Sequence, residues 1–352
     1  MTVRHRYATW SKFVVASVVV LAVVVGLGAP STHADPVQIA FQVLDGPGVG
    51  FNDPILGPQR LHAFAFAAAR WGSFFESAFP GETVPVGIRF GPLTDFLAFS
   101  NTFHLDTGDV SLPGALAEHI AGGDVLPGLD GEIIFSDQAP FFLGTTGQPA
   151  STQYDFVTFA MHELGHLFGF TSFLQPDGTY QGSPTLYDLF VGDAAEMQLA
   201  TLPPAARLAA ATSGDGLFWL GPEGLAGNNG VPPQLSAGTP FVLATNVNHL
   251  SETFGPDVLM DPDKAFGEVI HDLSPLERGM YQDLFWSLTP VQAVPEPASL
   301  WLVGAGLVGL LGYGWRRRPR ATGTRRSISV TFGGAVGVGA GHVRCAYGSG
   351  RS

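Results

Sequence analysis

The chain has 352 residues, 45% of them hydrophobic, and a formal charge of −13. All thirty acidic residues but only six of the seventeen basic ones fall between Asp35 and Trp315, which leaves −24 on that stretch; such a field repels phosphates and sets nucleic acid aside as a partner. The single cysteine, Cys345, lies near the C-terminus, so no disulfide staples the main body and no thiol there caps a metal.

In chain order, Arg4, Arg6 and Lys12 lead into an apolar run from Phe13 to Leu27, and Thr32-His33-Ala34 offers a small residue at a cut. The run is short for a membrane span, so residues 1–34 read as a secretory signal peptide. Residues 35–293 suffice for one large domain or for two lobes around a cleft, 35–170 and 171–293. Gln38 to Leu44 alternates as a strand, and Gln59 to Phe75 carries Leu61, Phe64, Ala68, Trp71 and Phe75 on one helical face. Val84 to Phe90 is a second strand, Leu112 to Ala121 a short helix after Pro113, and Gly131 to Ser136 a third strand.

A helix with one buried stripe follows (Phe156, Phe159, Ala160, Leu164), with Gln153 and Asp155 near its start where a cap is wanted. Gly169 falls where a stopping helix uses a left-handed residue. Beyond it Gly178 to Pro184 and Gly221 to Pro240 are loop-rich, while Asp188 to Leu202 and Leu273 to Trp286 are helix candidates, the latter with Pro275 in its first turn. Strands alternating with helices predict a mixed α/β or α+β fold: a twisted mixed sheet, a site-bearing helix and a looser C-terminal subdomain. The Asp and Gly clusters at 124–130 and 257–263 lack the spacing of a defined calcium loop and read as solvated turns.

The chemistry concentrates in His162-Glu163-Leu164-Gly165-His166. Positions i and i+4 share a helical face, so both imidazoles can reach one metal ion. Zn²⁺ accepts imidazole nitrogen, a catalytic site keeps one position open for water, and Glu163 stands where it can take that water's proton. The pattern predicts a zinc-dependent peptide hydrolase; the plain alternative is a buried helix with two core histidines. A third ligand is needed. The compact spacing fails, because Ser172 stands where a histidine three residues after Gly169 would be. Glu196 on a second helix is one candidate and His249 a better one; His271 is a lesser rival, and His62, His104 and His119 read as structural. Tyr187 and Tyr281 are candidate oxyanion partners without a spacing argument.

His249, followed by Leu259-Met260-Asp261-Pro262, resembles the third ligand and Met-turn of the metzincin metalloproteases. The long stretch between Gly169 and His249 is most similar to the leishmanolysin-type branch. That resemblance implies a zincin-like fold, zinc on His162, His166 and His249, Glu163 as the base, Met260 as an apolar floor, and the 131–136 strand as the edge that pairs with an extended substrate. The cysteines and pro-segment of that branch have no counterpart here, so its activation control does not carry over.

Val294-Pro295-Glu296-Pro297, an uncharged apolar stretch from Ala298 to Trp315, and Arg316-Arg317-Arg318 together resemble the PEP-CTERM sorting signal of Gram-negative bacteria. It implies a transmembrane helix within 294–320, an exosortase-type sorting enzyme as partner, and transient inner-membrane anchoring before release to the cell surface or outside. The tail, 321–352, reads as disordered. The sequence thus predicts an exported zinc metalloendopeptidase acting on peptides or proteins. The alternative is a catalytically inactive surface or matrix-associated binding protein that keeps a zincin-like fold.

Overall fold

A computed structural model of the chain describes residues 35–93, 96–288 and 342–344. The expected signal peptide, sorting helix and most of the tail lie outside these residues. Among the described residues no helix is long and apolar enough to cross a membrane.

The first third builds the main sheet. Strand β1 (Gln38–Val43) is followed by helix α1 (Gly57–Gly72), strand β2 (Thr83–Gly91), strand β3 (Ala98–Thr102) and the hairpin of β4 (His104–Asp106) with β5 (Ser111–Pro113). Helix α2 (Gly114–Ala121) and strand β6 (Gly131–Ser136) come next. β1, β2 and β6 are parallel; β3 runs antiparallel to β6, with Ser100 opposite Ile133. Every second residue of the central strands, such as Val84, Val86 and Ile88, is fully buried, as a sheet covered by helices requires.

The strand at 131–136 is therefore interior, between β2 and β3, and not an edge as the resemblance implied. The tail expected to be structureless contributes strand β11 (His342–Arg344), which pairs antiparallel with the outer side of β3.

Two short parallel strands, β7 (Phe141–Phe142) and β8 (Tyr154–Asp155), lead into helix α3 (Phe156–Leu167). α3 packs on α1 and β3. It has no solvent face: all twelve of its residues are buried, so the single stripe read from the sequence understates its burial. Aromatic clusters grip both ends. Phe156 meets Phe135 with ring centroids 4.6 Å apart, while Phe168 stacks on Phe75 and contacts Trp286.

The remainder is built of shorter elements. The helix anticipated over 188–202 is absent. A 3₁₀ turn at Tyr187–Phe190 leads to strand β9 (Val191–Asp193), and Asp193 then accepts the N–H groups of Ala195 and Met197 in a tight turn. The Asp side chain competes for the amides that a helix would use. Strand β10 (Leu217–Trp219) pairs with β9; helices α4 (Pro204–Ala211) and α5 (Pro222–Gly227) flank it. Helix α6 (Pro275–Asp283) begins with Pro275 at its first position and a reciprocal cap between Ser274 and Glu277. The described residues belong to one compact unit, and bridges such as Ser111 to Thr185 and Phe75 to Leu288 tie its two halves together.

Candidate metal centre

Helix α3 is fixed at its start by Asp155, whose Oδ2 accepts the Thr158 N–H at 2.8 Å and the Thr158 hydroxyl at 2.9 Å. The same oxygen lies 2.7 Å from His271 Nε2, so His271 serves the cap and stands apart from the cluster described below. At the other end Gly169, at φ 120°, reverses the chain. Its N–H reaches His166 O and the Phe170 N–H reaches Gly165 O, the paired bonds of a Schellman ending. This turn delivers the Phe170 carbonyl to His166 Nδ1 at 2.6 Å.

The other two imidazoles are anchored in the same manner. His162 Nδ1 donates to Leu259 O at 2.7 Å, and His249 Nδ1 to Thr245 O at 3.1 Å. Each Nδ1 thus carries the hydrogen, and each Nε2 is left with a lone pair. The three Nε2 atoms point together: His162 is 3.0 Å from His166 and 3.2 Å from His249. Three acceptors at this spacing repel one another unless a cation lies between them. Tetrahedral zinc with bonds of roughly 2.0–2.1 Å needs ligand nitrogens about 3.3 Å apart, so the donor set fits such an ion. Among the described residues these three histidines form the cluster able to hold a metal. Burial, followed by the neighbouring His166, His249 and Lys264, drives the His162 pKa well below the ordinary imidazole value. Burial and His249 do the same to His166. Both rings are therefore neutral, the form that ligates.

His249 reaches the helix on a strap held at several points. Ser172, where the compact spacing would put a ligand, gives its N–H to Asn248 Oδ1 and its hydroxyl to buried Asp188. Tyr187 donates to Val247 O at 2.8 Å. Val247 itself adopts φ 73°, a strained conformation for a β-branched residue that the surrounding bonds hold in place.

Met260 lies beneath the helix: a Cβ built on Gly165 would fall 2.5 Å from Met260 Sδ and 2.8 Å from the Tyr281 oxygen. Glycine at this helical position is what lets the methionine turn approach. Glu277 accepts the Met260 N–H at 2.7 Å, and Met260 O accepts from Leu250. Lys264, 1% exposed, pairs with Asp261 and donates to the Val258 and Asp261 carbonyls, so the turn closes around an ammonium.

The other candidate residues stand apart from this cluster. Glu196 is exposed in the turn after β9, outside the cluster, because no helix forms there. The hydroxyls of Tyr187 and Tyr281 are committed to the carbonyls of Val247 and Gly165, and burial raises both pKa values well above the ordinary one. His119 pairs with Glu82 at 2.7 Å against Trp286, His104 packs on Phe173, and His62 is exposed on α1. Glu163 is adjacent to the cluster in sequence and, like His162, His166 and His249, has no exposed surface. Sequence reading missed the carbonyls of Leu259, Phe170 and Thr245 and the buried Lys264 and Glu277, since a backbone acceptor leaves no trace in residue type.

A PEP-CTERM protein-sorting motif spans residues 293–318. It marks an exported protein sorted to the cell envelope or surface and implies recognition by an exosortase-type sorting enzyme. No curated protein and no solved structure matches the chain.

Proposed function

We propose that this protein is an exported zinc-dependent endopeptidase of metzincin type. The observation that carries the reading is the convergence of three Nε2 lone pairs, each fixed by an Nδ1 hydrogen bond to a carbonyl, beside a glutamate on the same helix. In this reading His162, His166 and His249 hold the ion and Met260 is the floor beneath it. When bound, zinc lowers the pKa of a water and polarises a peptide carbonyl. Glu163 takes the proton from that water and returns it to the leaving amine. Residues 1–34 act as signal peptide and Ala298 to Trp315 as a transient inner-membrane anchor.

The test measures bound zinc and casein cleavage on the exported protein. Wild type should hold one zinc per chain and lose cleavage with chelator. Glu163→Gln should keep the zinc and lose about 10²-fold or more in turnover, whereas His249→Ala should lose the zinc. Cleavage by Glu163→Gln at the wild-type rate would remove the base from the mechanism.

A second reading keeps the fold and drops turnover: a surface or matrix-associated binding protein. The lack of any exposed surface on His162, Glu163, His166 and His249 favours it, since a catalytic site keeps a position open to water. Stoichiometric zinc with no cleavage of any protein substrate would favour this reading, as would a zinc content well below one per chain.

A further inference from the structure

The segments behind the second and third imidazoles meet at one turn. Asp188, in the 3₁₀ turn Tyr187–Phe190, has no exposed surface. Its Oδ1 accepts the Ser172 hydroxyl, and its Oδ2 accepts the N–H groups of Phe173 at 3.1 Å and Thr185 at 2.9 Å. Burial pushes its pKa up to about 6, so at pH 7.5 it stays a carboxylate and accepts these bonds. They gather the chain directly after Phe170, whose carbonyl holds His166. The same turn reaches the strap of the third ligand: Tyr187 donates to Val247 O, and Ser172 gives its N–H to Asn248 Oδ1. Val247 and Asn248 immediately precede His249. The turn is itself tied to β5, where the Ser111 N–H reaches Pro184 O at 2.8 Å and the Ser111 carbonyl accepts the Leu186 N–H at 3.1 Å. The strap between is strained, with Ala244 at φ 70° and Val247 at φ 73°, conformations that persist only where the surroundings impose them.

Resting on the zinc reading above, we propose that Tyr187 and Asp188 are positioning residues for the metal centre: from one turn they hold the anchor of His166 and the strap of His249 at the separation that lets both Nε2 atoms share an ion. Neither side chain touches the ion. Asp188 acts through Ser172 and Asn248, and Tyr187 through the Val247 carbonyl. His162 and His166 sit on one helix and keep their spacing without help, so His249 is the ligand that the turn must place. Without the clamp the strained strap relaxes, and the ring of His249 moves away from the other two. The role depends on bond geometry more than on charge. Asparagine at 188 keeps an oxygen for Phe173 and Thr185, and its amide donates to the Ser172 hydroxyl, which then accepts. Alanine offers neither.

The experiment uses the full exported protein, stripped of metal and titrated at pH 7.5 with zinc chloride. A parallel titration with cobalt(II) chloride reads coordination geometry from the visible bands of the bound ion. Wild type should take up one ion per chain and give the spectrum of four-coordinate cobalt. Tyr187→Phe loses one hydroxyl and keeps its ring against Phe170 and Trp219. It should bind zinc about tenfold more weakly and shift the cobalt bands. Asp188→Ala should lose about tenfold or more, and Asp188→Asn should recover to within about threefold of wild type. Glu82→Gln, at the buried partner of His119, shows what loss of stability alone does; it should leave affinity and bands unchanged whatever its Tm. Wild-type affinity and bands in Tyr187→Phe overturn the clamp and leave the zinc reading standing, and this variant decides alone if Asp188→Ala does not fold. Asp188→Asn as weak as Asp188→Ala also overturns it, as does an equal loss in Glu82→Gln. A wild-type chain that takes up neither ion removes the zinc reading and the clamp with it.

Discussion

At the scale of single residues, the site was legible where chemistry resides in side chains of distinctive type. His162, Glu163 and His166 announce themselves by spacing, and His249 by the methionine turn that follows it. The partners that aim them were not legible, because Leu259, Phe170 and Thr245 act through carbonyls common to every residue. Lys264, Glu277 and Asp130, the last buried and not in a solvated turn, were hidden for a related reason: charged residues read as surface unless paired, and burial depends on the fold. Gly165 shows how structure revises a sequence argument. By propensity alone, alanine there should stabilise the helix by about 1 kcal/mol. The new methyl would instead meet Met260 Sδ at 2.5 Å and the Tyr281 oxygen at 2.8 Å, and both side chains are fully buried. Gly165→Ala should therefore destabilise the protein by about 1–3 kcal/mol, the usual penalty for overpacking, read from the denaturant midpoint. A variant more stable than wild type would mean that Met260 does not press on the helix.

At the scale of elements, long periodic segments were readable and short ones were not. α1, β1, β2, β6 and α6 fall close to their expected spans. β3 (Ala-Phe-Ser-Asn-Thr) and the β4–β5 hairpin carry too few apolar residues to show a period, so the true neighbour of β6 went unseen. Over 188–202 an apolar pattern suggested a helix, but Gly192 and the Asp193 turn divide it. The 258–264 turn illustrates an element whose order rests on a buried charge pair. Its Leu259 carbonyl orients His162, its Met260 amide is held by Glu277, and Lys264 closes it by pairing with Asp261, itself 4% exposed. Lys264→Met leaves the Asp261 charge buried without its partner, which should cost about 3–5 kcal/mol. The double variant Lys264→Met/Asp261→Asn should recover much of that loss, because the stranded charge goes with its partner. Denaturant midpoints of both variants decide the matter: a single variant as stable as the double one would show that the ion pair does not hold the turn.

At the scale of the whole molecule, the three imidazoles join parts of the chain more than eighty residues apart: α3 contributes two and the strap after the loop-rich half contributes the third. On the proposed reading an ion bound there would be a cross-link present only in the folded state, and it would stabilise that state by mass action. Protons oppose it. In the unfolded chain histidine titrates near pH 6.5, whereas burial keeps His162 and His166 neutral in the fold well below that value. A depressed folded pKa gives stability that is complete above about pH 6.5 and is lost as pH falls, at roughly 1.4 kcal/mol per pH unit for each histidine. On the proposed reading zinc would use the same lone pairs, so its contribution would shrink over the same range as protons displace it. Melting temperatures should accordingly be higher with zinc than with chelator at pH 7.5, and the gap should close toward pH 5. His249→Ala should show little gap at either pH, because two imidazoles hold zinc poorly. If the gap in wild type is as wide at pH 5 as at pH 7.5, the donors to the ion are not these nitrogens, and the metal centre must be sought among groups that titrate elsewhere.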